Sequence, residues 1–468
     1  MTTLIETITY SVVPAPITEP AKVPVDLTDK TMELHKEKVL KRMKEDKMDV
    51  LFVYADREHG TNFGYLAGFE PRFEEAVLVL HSCGKAYMLL GNESVRMGQY
   101  SRIPVEVVHT PYFSLPNQPM GNTKTLAELI ESAGVSEGMS AGIAGWKLFT
   151  SSLEDNEQIF DVPYFIVHAV KKVVGETGRV WNATSLFIHP GKGVRVNMNA
   201  NEIAHYEFGS SLASSCVLKV LDKLEPGLTE IELASELAVY GQPNNVQTIC
   251  ATGERFTNAV VAPRNKKVSI GDKFASTLGY RGGLTSRSAY VVSSKDELPI
   301  EVEDYLDVVA KPYYAASVTW YENMQIGITG QEIYELIETV LPKSTYGWKL
   351  NPGHLTAGEE WMSSPIYPGS DIAISSGMLF QMDIIPSVPG YGGANAEDGV
   401  AIADEELRKE LAIAYPDVWE RIQARRDYMI HTLGIQLKPE ILPLSNINGY
   451  MRPYLLNKTY AFKVERDE

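Results

Sequence analysis

Cysteine is scarce in this chain. Its 468 residues include three cysteines, Cys83, Cys216 and Cys250, and none stands in a Cys-x-x-Cys or Cys-x-x-Cys-His spacing. An odd number of widely spaced cysteines excludes a disulfide framework and a cysteine-based zinc site. We therefore expect a protein of a reducing compartment and predict a cytoplasmic location.

Basic residues and long apolar runs are also in short supply. Lys and Arg number 43 against 60 Asp and Glu, which gives a net charge of −17. Because nucleic acids and anionic membrane surfaces require concentrated Lys and Arg, we expect neither as a partner. No run approaches the roughly 18 apolar residues of a membrane-spanning helix, and the first residues lack the basic and apolar regions of a secretion signal.

The rest of the composition is that of a globular protein, with 44% hydrophobic and 22% charged residues. This length is enough for two or three domains. Residues 1–30 contain Pro14, Pro16, Pro20 and Pro24, which predict an extended N-terminal arm. Short apolar runs at 50–54, 76–80 and 86–90 alternate with helical stretches, which predicts an α/β domain over residues 31–190.

A second pattern begins at Asn199. Asn199 with Glu202, and Thr229 with Glu232, have the spacing of capping boxes at the start of helices. Strand-like and loop-like sequence follows at 247–293 and again at 350–403, with a helical interval between them. This order predicts an α+β domain with an internal duplication over residues 195–440. Residues 441–468 are rich in Pro and Tyr and predict an irregular C-terminal tail.

The candidate chemistry lies between Gly353 and Asp398. The segments there are GHL at 353–355, GMLFQMD at 377–383 and AEDGV at 396–400. One imidazole and two carboxylates at this spacing indicate part of a metal-hydrolase site. The chain has no Gly-x-Ser-x-Gly and no His-Glu-x-x-His motif, which disfavours nucleophilic-serine and zincin schemes.

These motifs resemble the pita-bread hydrolases, the superfamily of creatinase, aminopeptidase P, prolidase and methionine aminopeptidase. The segment NFGYLAGF at 62–69 resembles the N-x-x-Y-x-x-G-F segment of the creatinase-type N-terminal domain. Segments at Gly271, Gly353, Gly377 and Glu397 follow in the family's order. The resemblance covers most of residues 31–403. It implies an α+β protein in which a creatinase-like α/β N-terminal domain precedes a pita-bread, duplicated α+β catalytic domain.

Metallopeptidases of this superfamily bind two metal ions through two Asp, one His and two Glu. Carried over position by position, the resemblance puts Thr277 and Arg287 at the two Asp, His354 at the His, and Asp383 and Glu397 at the two Glu. No carboxylate occurs from Lys273 to Ser294. We therefore expect no metal and no other cofactor.

The role of Arg287 depends on whether its side chain points into this site, which the sequence does not determine. At about 4 Å and an effective dielectric of about 20, its charge would repel a divalent ion by about 8 kcal/mol. The same guanidinium could form forked hydrogen bonds to Asp383 or Glu397 and replace the missing cation. The structural alternative is an internal salt bridge that fills an inactive site.

Creatinase is a metal-free member, so the resemblance allows chemistry without metal ligands. Its histidine acts as a general acid/base while carboxylates hold a cationic guanidino-type substrate. Here the stretch that matches the loop of that histidine, residues 258–264, contains no histidine, and the second family histidine falls near Trp361. His354 remains as the candidate proton carrier.

The candidate site is then His354 as the acid/base, with Asp383 and Glu397 to orient it or to bind a cation. Glu359 and Glu360 are expected at its rim. Substrate contacts are predicted at Arg264, Arg287 and Tyr280 for an anion or oxyanion, and at Thr277 and Trp361.

Three functions stay open. The first is a metal-independent hydrolase or lyase acting on a C–N bond of a small amidino, amide or amino-acid-derived substrate. The second is a non-catalytic pseudo-peptidase that binds a small or dipeptide-like ligand, and the third is an Xaa-Pro metallopeptidase with a rearranged site. Relatives with this N-terminal domain commonly place it over the partner's active site, so the resemblance also implies a homodimer.

Overall fold

The computed structural model describes residues 4–18, 21–121, 123–255 and 257–466. The chain divides into two compact units. One unit is Leu27–Val196, and the other combines Met1–Asp26 with Asn197–Glu468. The sequence predicts units at 31–190 and 195–440, so the structure differs chiefly at the two chain ends. Of the predicted arm and tail, residues 1–3, 19, 20, 467 and 468 lie outside the described residues.

Helices and strands are numbered in chain order. The α-helices are α1 (Leu4–Thr7), α2 (Asp29–Glu45), α3 (Thr61–Ala67), α4 (Leu126–Ser132), α5 (Tyr164–Val174), α6 (Ser185–Ile188), α7 (Ala200–Lys223), α8 (Glu230–Ala234), α9 (Lys311–Asn323), α10 (Gly330–Val340), α11 (Lys343–Tyr346), α12 (Glu405–Ala414) and α13 (Pro416–Asp427). The strands are β1 (Ile8–Val12), β2 (Val50–Ala55), β3 (Ala76–His81), β4 (Ala86–Leu90), β5 (Glu106–His109), β6 (Ser140–Ala144), β7 (Arg179–Asn182), β8 (Ile249–Thr252), β9 (Lys273–Tyr280), β10 (Gly283–Tyr290), β11 (His354–Leu355), β12 (Leu379–Met382), β13 (Asn395–Ile402), β14 (Ile441–Pro443) and β15 (Tyr460–Val464). Within the described ranges, no helix is both long and apolar enough to cross a membrane.

The unit Leu27–Val196 contains a six-stranded mixed sheet in the order β5-β4-β3-β2-β6-β7. Its central strands read VLFVYA and AVLVLH and are buried along almost their whole length. Strands covered on both faces carry continuous apolar runs rather than an alternation with polar residues. On one face, Ile166, Val170 and Val173 of α5 join a buried cluster with Phe52 of β2. The runs that predict an α/β domain are therefore the strands at the centre of this sheet.

The second unit contains the sheet that carries the candidate site. Its strands follow the order β11-β12-β13-β10-β9-β8, with β14 also paired to β13, and these neighbours are antiparallel. The turn between β9 and β10 passes through Gly282, whose φ is +101°. A Cβ at this position would lie 2.1 Å from the carbonyl oxygen of Tyr206 on α7, so both the backbone angle and the close approach require glycine. This turn sets the register of the two strands.

Two helix pairs, α7 with α8 and α9 with α10, precede the two groups of strands in this unit. Thr229 and Thr329 each begin the second helix of a pair with a complete capping box. Gly227 and Gly327 stand at the same offset before these threonines, with φ of +96° and +91°. The repeated helix, turn and capped helix match the duplicated α+β architecture, and the fold class predicted from the sequence is confirmed.

Both chain ends belong to the structure of the second unit, which corrects the predicted extended arm and irregular tail. β1 pairs antiparallel with β15, with Ile8 opposite Val464. β14 extends the main sheet beside β13. Every residue from 441 to 455 is buried. The Pro- and Tyr-rich composition of the tail was therefore misleading, because Tyr450 and Tyr454 are buried in the core rather than exposed on an irregular surface segment.

Candidate functional site

Three strands of the second unit bring predicted site positions into one row. Thr277 of β9 lies opposite Ser286 of β10, and Ser286 lies opposite Glu397 of β13. Directly opposed residues of antiparallel strands point to the same face of a sheet. Thr277, Ser286 and Glu397 therefore form a row across one face, called the pocket row below. The hydroxyl groups of Thr277 and Ser286 are hydrogen-bonded to each other at 2.7 Å.

Arg287 points to the opposite face of the sheet. Its Nη2 donates to Asp398 Oδ2 at 2.6 Å, and both side chains are buried, at 2% and 0% exposure. Its nitrogen atoms also donate to four backbone carbonyl oxygens, those of Ser286, Glu397, Ile447 and Tyr450. All the donors of this guanidinium are thus directed at the protein itself.

The predicted hydrogen bonds from Arg287 to Asp383 or Glu397 are therefore wrong, and Arg287 instead forms an internal salt bridge with Asp398. It does not pair with the carboxylates of Asp383 or Glu397, and it is not placed to bind a substrate in the pocket. The expected repulsion of a metal ion by Arg287 no longer follows either. Ser286, one residue earlier, holds the position in the pocket row that the resemblance had assigned to Arg287.

His354 of β11 is the fully buried imidazole of the site. Its Nε2 lies 3.1 Å from Glu360 Oε1 and 3.9 Å from Asp383 Oδ2. Among the described residues, neither Nε2 nor Asp383 Oδ1 has a partner with hydrogen-bond geometry. The contact between His354 and Glu360 is thus a close approach of imidazole and carboxylate, which becomes an ion pair when the imidazole is protonated. His354 Nε2 and Asp383 Oδ1 can therefore each form a further hydrogen bond in the pocket.

A short hairpin after β11 brings Glu360 and Trp361 back to His354. The hairpin closes where the Leu355 N–H donates to the Ser363 carbonyl oxygen at 2.7 Å. The Trp361 ring then stacks on the His354 ring, with centroids 3.9 Å apart and planes 20° apart. Trp361 is 38% exposed, so it covers the imidazole from the solvent side.

Burial and like charges shape the ionisation of this cluster. Burial raises the pKa of Asp383 to about 6, an effect that the charge of His354 opposes and that of Glu360 increases. Burial, then the charges of Asp383 and Glu360, raise the pKa of Glu397 well above its usual value. Burial acts to lower the pKa of His354, but the contact with Glu360, the charge of Asp383 and the Leu355 carbonyl oxygen together outweigh burial and raise that pKa above its ordinary value. The cluster can therefore take up or release a proton close to neutral pH.

Comparison with known proteins agrees with the fold of this unit. Residues 205–404 match the model of metallopeptidase family M24. A prolidase from Thermococcus sibiricus superposes with a TM-score of 0.63 at 18% identity, over 81% of this chain and 96% of that chain. A prolidase from Pyrococcus horikoshii OT3 superposes with a TM-score of 0.60 at 18% identity, over 79% and 95%. The chain has the pita-bread fold that these prolidases share.

This pita-bread protein also resembles a curated bacterial sequence. It is 23% identical over 235 residues to the uncharacterized peptidase YqhT of Bacillus subtilis. The match covers 47% of this chain and 65% of that protein, so about a third of the relative lies outside it. An X-Pro aminopeptidase from Thermotoga maritima superposes with a TM-score of 0.60 at 14% identity, over 79% of this chain and 95% of that chain. At such identities, the structural similarity establishes the fold.

The residues of this pita-bread protein do not fit a pair of metal ions. Two adjacent cations need bridging carboxylates to offset their mutual repulsion. Thr277 and Ser286 place two neutral hydroxyl groups where those carboxylates would stand, and the hydroxyl groups bond to each other. A smaller set does converge: His354, Glu360 and Glu397 each offer one ligand atom, and these atoms all lie within 4.8 Å of one another.

Tyr280 is not part of this site, which corrects its predicted role. It follows Thr277 by three positions on β9, so the alternation of the strand directs it to the opposite face. Its hydroxyl group donates to the Leu237 carbonyl oxygen at 3.2 Å and accepts from the Val239 N–H at 3.3 Å. Tyr280 therefore fastens the segment after α8 to the sheet.

Arg264 is engaged with a buried carboxylate rather than directed at a free anion. Its Nε lies 3.6 Å from Glu230 Oε2, and its backbone N–H donates to the same oxygen at 2.8 Å. Glu230 is fully buried, and its other oxygen accepts from the Thr252 N–H at 2.8 Å. This carboxylate ties down the loop from Thr252 to Arg264, which explains the arginine without a substrate.

The structure brings together His354, Asp383 and Glu397, and it adds Ser286, which was not predicted, and a direct contact of Glu360 with His354. Strand alternation could have pointed to Ser286, because Ser286 and Arg287 are neighbours on β10 and must point to opposite faces of the sheet. Glu360 was expected at the rim, and its contact with His354 depends on how the hairpin after β11 folds back. No local sequence pattern predicts that return.

Proposed function

We propose that this protein hydrolyses a C–N bond in a small amidino, amide or amino-acid-derived substrate without divalent metal ions, with His354 as the acid/base. The observation that carries the proposal is the contact of a fully buried His354 with Glu360, beside a pocket row in which hydroxyl groups replace bridging carboxylates. A buried imidazole held against a carboxylate is a proton carrier with a fixed orientation.

Each residue of the cluster has a part in the proposed reaction. His354 takes a proton from a water molecule, whose oxygen forms the new bond to the substrate carbon. The C–N bond then breaks, and the same proton passes to the leaving nitrogen. Glu360 holds the imidazole and stabilises its charged form. Asp383 and Glu397 face the cationic part of the substrate, because burial among like charges makes them favour a positive partner.

The hydroxyl groups of Thr277 and Ser286 complete the pocket. Each hydroxyl can donate one hydrogen bond and accept others. As a bonded pair, they leave one proton free to donate to the oxygen or nitrogen that gains charge during the reaction. Trp361 provides a flat wall above His354, which keeps bulk water from one face of the imidazole.

The test is turnover by protein that has been stripped with a chelator. A panel of Xaa-Pro dipeptides, N-acyl amino acids and guanidino or amidino acids is incubated with it, and the released amine is measured by mass spectrometry. We expect turnover of at least one class, and a loss of about a hundredfold or more in His354→Gln, since general acid/base groups contribute factors of this size. His431→Gln, whose side chain is 74% exposed, serves as the matched control and should keep full activity.

Two results would contradict the proposal. Activity that appears only after a divalent metal is added would instead support the Xaa-Pro metallopeptidase hypothesis. Saturable binding of a panel member with no turnover would support the pseudo-peptidase hypothesis. Metal content measured before and after stripping separates these two results from each other.

We further propose that the protein works as a homodimer in the cytoplasm, without a nucleic-acid or membrane partner. The resemblance to dimeric relatives supports the first point, and the three free cysteines and the net charge of −17 support the others. Light scattering at micromolar concentration tests the oligomeric state directly, and a monomeric mass would contradict it.

A further inference from the structure

The ligand atoms of His354, Glu360 and Glu397 converge in a way that the proposed reaction does not require. They lie within 4.8 Å of one another, and the closest pair, His354 Nε2 and Glu360 Oε1, is 3.1 Å apart. Two ligands of one tetrahedral zinc ion stand roughly 3.4 Å apart, given bond lengths near 2.1 Å. The spacing of His354 and Glu360 is therefore close to that of two ligands on one ion.

Two buried polar atoms point to a missing partner at the same place. Among the described residues, His354 Nε2 and Asp383 Oδ1 have no partner in hydrogen-bond geometry, although His354 is 0% exposed and Asp383 is 3% exposed. Buried polar atoms are nearly always satisfied by protein, water or an ion. An imidazole nitrogen beside three carboxylates is a donor set that borderline divalent cations prefer.

We infer that the pocket binds a single zinc ion through His354, Glu360 and Glu397, and that this ion inhibits the metal-free reaction. The inhibitory part rests on the proposed function, while the binding part does not. This is not a reduced copy of a two-metal centre, because Glu360 lies outside the family's five ligand positions and supplies a carboxylate that Thr277 and Ser286 no longer provide. Asp383 stands beside the set, with its Oδ2 3.9 Å from His354 Nε2.

The electrostatics permit a cation at this position. Arg287, which would have repelled it, lies on the far side of the sheet and is neutralised by Asp398. The side chain of Glu360 is 20% exposed, so the set is open toward solvent on one side and an ion can enter. Three protein ligands with one position left open for water or substrate is the arrangement of catalytic zinc sites.

Inhibition follows from the single lone pair of His354 Nε2. That nitrogen can carry a proton or bind zinc, and it cannot do both. Glu397 and Glu360 would likewise be taken from the substrate cation and from the imidazole. Zinc and the cationic part of the substrate therefore compete for the same oxygen atoms.

Calorimetric titration of chelator-stripped protein with zinc chloride tests the site without using activity. We expect one equivalent per chain. Removing a ligand should weaken binding at least as much as removing a supporting residue does, so Glu360→Gln should lose at least about tenfold in affinity. Glu359→Gln makes the same charge change one residue away and should bind as tightly as the unmodified protein. X-ray absorption of the one-to-one complex should show one imidazole and oxygen neighbours.

Several results would overturn the inference: no saturable binding, two equivalents per chain, or the same loss in Glu359→Gln as in Glu360→Gln. Glu397→Gln repeats the test if Glu360→Gln fails to fold, as judged by circular dichroism. Turnover separates this inference from the proposed function. Metal-free turnover without zinc binding overturns only the inference. Zinc binding together with turnover that depends on zinc supports the zinc site, but it contradicts both the inhibition by zinc and the proposed metal-free reaction.

Discussion

The hydroxyl groups of Thr277 and Ser286 take the place of two carboxylates in the pocket row, and this exchange removes two negative charges from the floor of the site. Glu360 returns one carboxylate from a different element, at the edge of the pocket rather than on the sheet. The remaining acids are therefore gathered around His354 instead of being spread between two ions. A cluster of buried acids favours one positive group, which can be a proton, the cationic part of a substrate or a single metal ion.

Behind the pocket row, the buried ion pair of Arg287 and Asp398 gives a prediction about stability. Removing one partner of a buried pair leaves an uncompensated charge, so Arg287→Met should lower the free energy of unfolding by about 3–5 kcal/mol. Adding Asp398→Asn should recover part of that loss. Hydrogen exchange of β10 and β13 in urea is the suitable measurement, because the two units of the chain need not unfold together.

A loss below about 1 kcal/mol in Arg287→Met, or no recovery in the double variant, would mean that the pair contributes little. Full recovery is not expected, because Arg287 also donates to the carbonyl oxygens of Ser286, Glu397, Ile447 and Tyr450, which the double variant leaves without those donors.

The position of Arg287 shows what the sequence does not predict about a single residue, namely the face of the sheet to which its side chain points. The motif order identified the right strand, and the absence of carboxylates there was correct. A displacement of one residue in the alignment nonetheless moves a side chain to the other face of the sheet. The residue types were informative, whereas the face of the sheet depended on a hairpin register that Gly282 and its contact with Tyr206 determine.

Among the elements, α7 and α8 of the second unit were the easiest to find from the sequence. A capping box places a Ser, Thr or Asn three positions before a Glu, and both halves are local, so Asn199 and Thr229 marked their helices correctly. The hairpin that carries Glu360 and Trp361 gave no such signal. Its closure depends on the pairing of Leu355 with Ser363 and on the stacking of Trp361 against His354.

The repeated capping box at α10 can be tested by a single substitution. The Thr329 side chain accepts from the backbone N–H of Glu332 at 3.3 Å, so Thr329→Ala leaves that N–H without its cap. We expect a loss of about 1 kcal/mol in the free energy of unfolding. Thr329→Ser keeps the oxygen and should lose much less. Thermal or urea unfolding of the two variants side by side makes the comparison, and equal losses in both would show that the methyl group matters rather than the cap.

At the scale of the whole molecule, the chain ends were the part that the sequence predicted least well. β1 and β15 pair with each other although almost the entire chain lies between them. Periodicity and turn signals are local and carry no information about which distant strand will be the partner. The division into an α/β unit and an α+β unit was visible because each has its own repeating pattern. The N-terminal strand contributes to the unit that begins at Asn197, which only the folded chain could reveal.

This pairing predicts that the N-terminal strand stabilises one unit and not the other. Ile8 is 1% exposed whereas Val12, on the same strand, is 63% exposed. Truncating a buried isoleucine costs about 2–5 kcal/mol, so Ile8→Ala should speed hydrogen exchange in β15 and the strands of the second unit. Val12→Ala should have almost no effect there. Exchange within β2 and β3 should stay unchanged in both variants, because those strands belong to the unit Leu27–Val196. Faster exchange in β2 and β3 for Ile8→Ala would show instead that the two units unfold as one, and the N-terminal strand would then stabilise the whole chain.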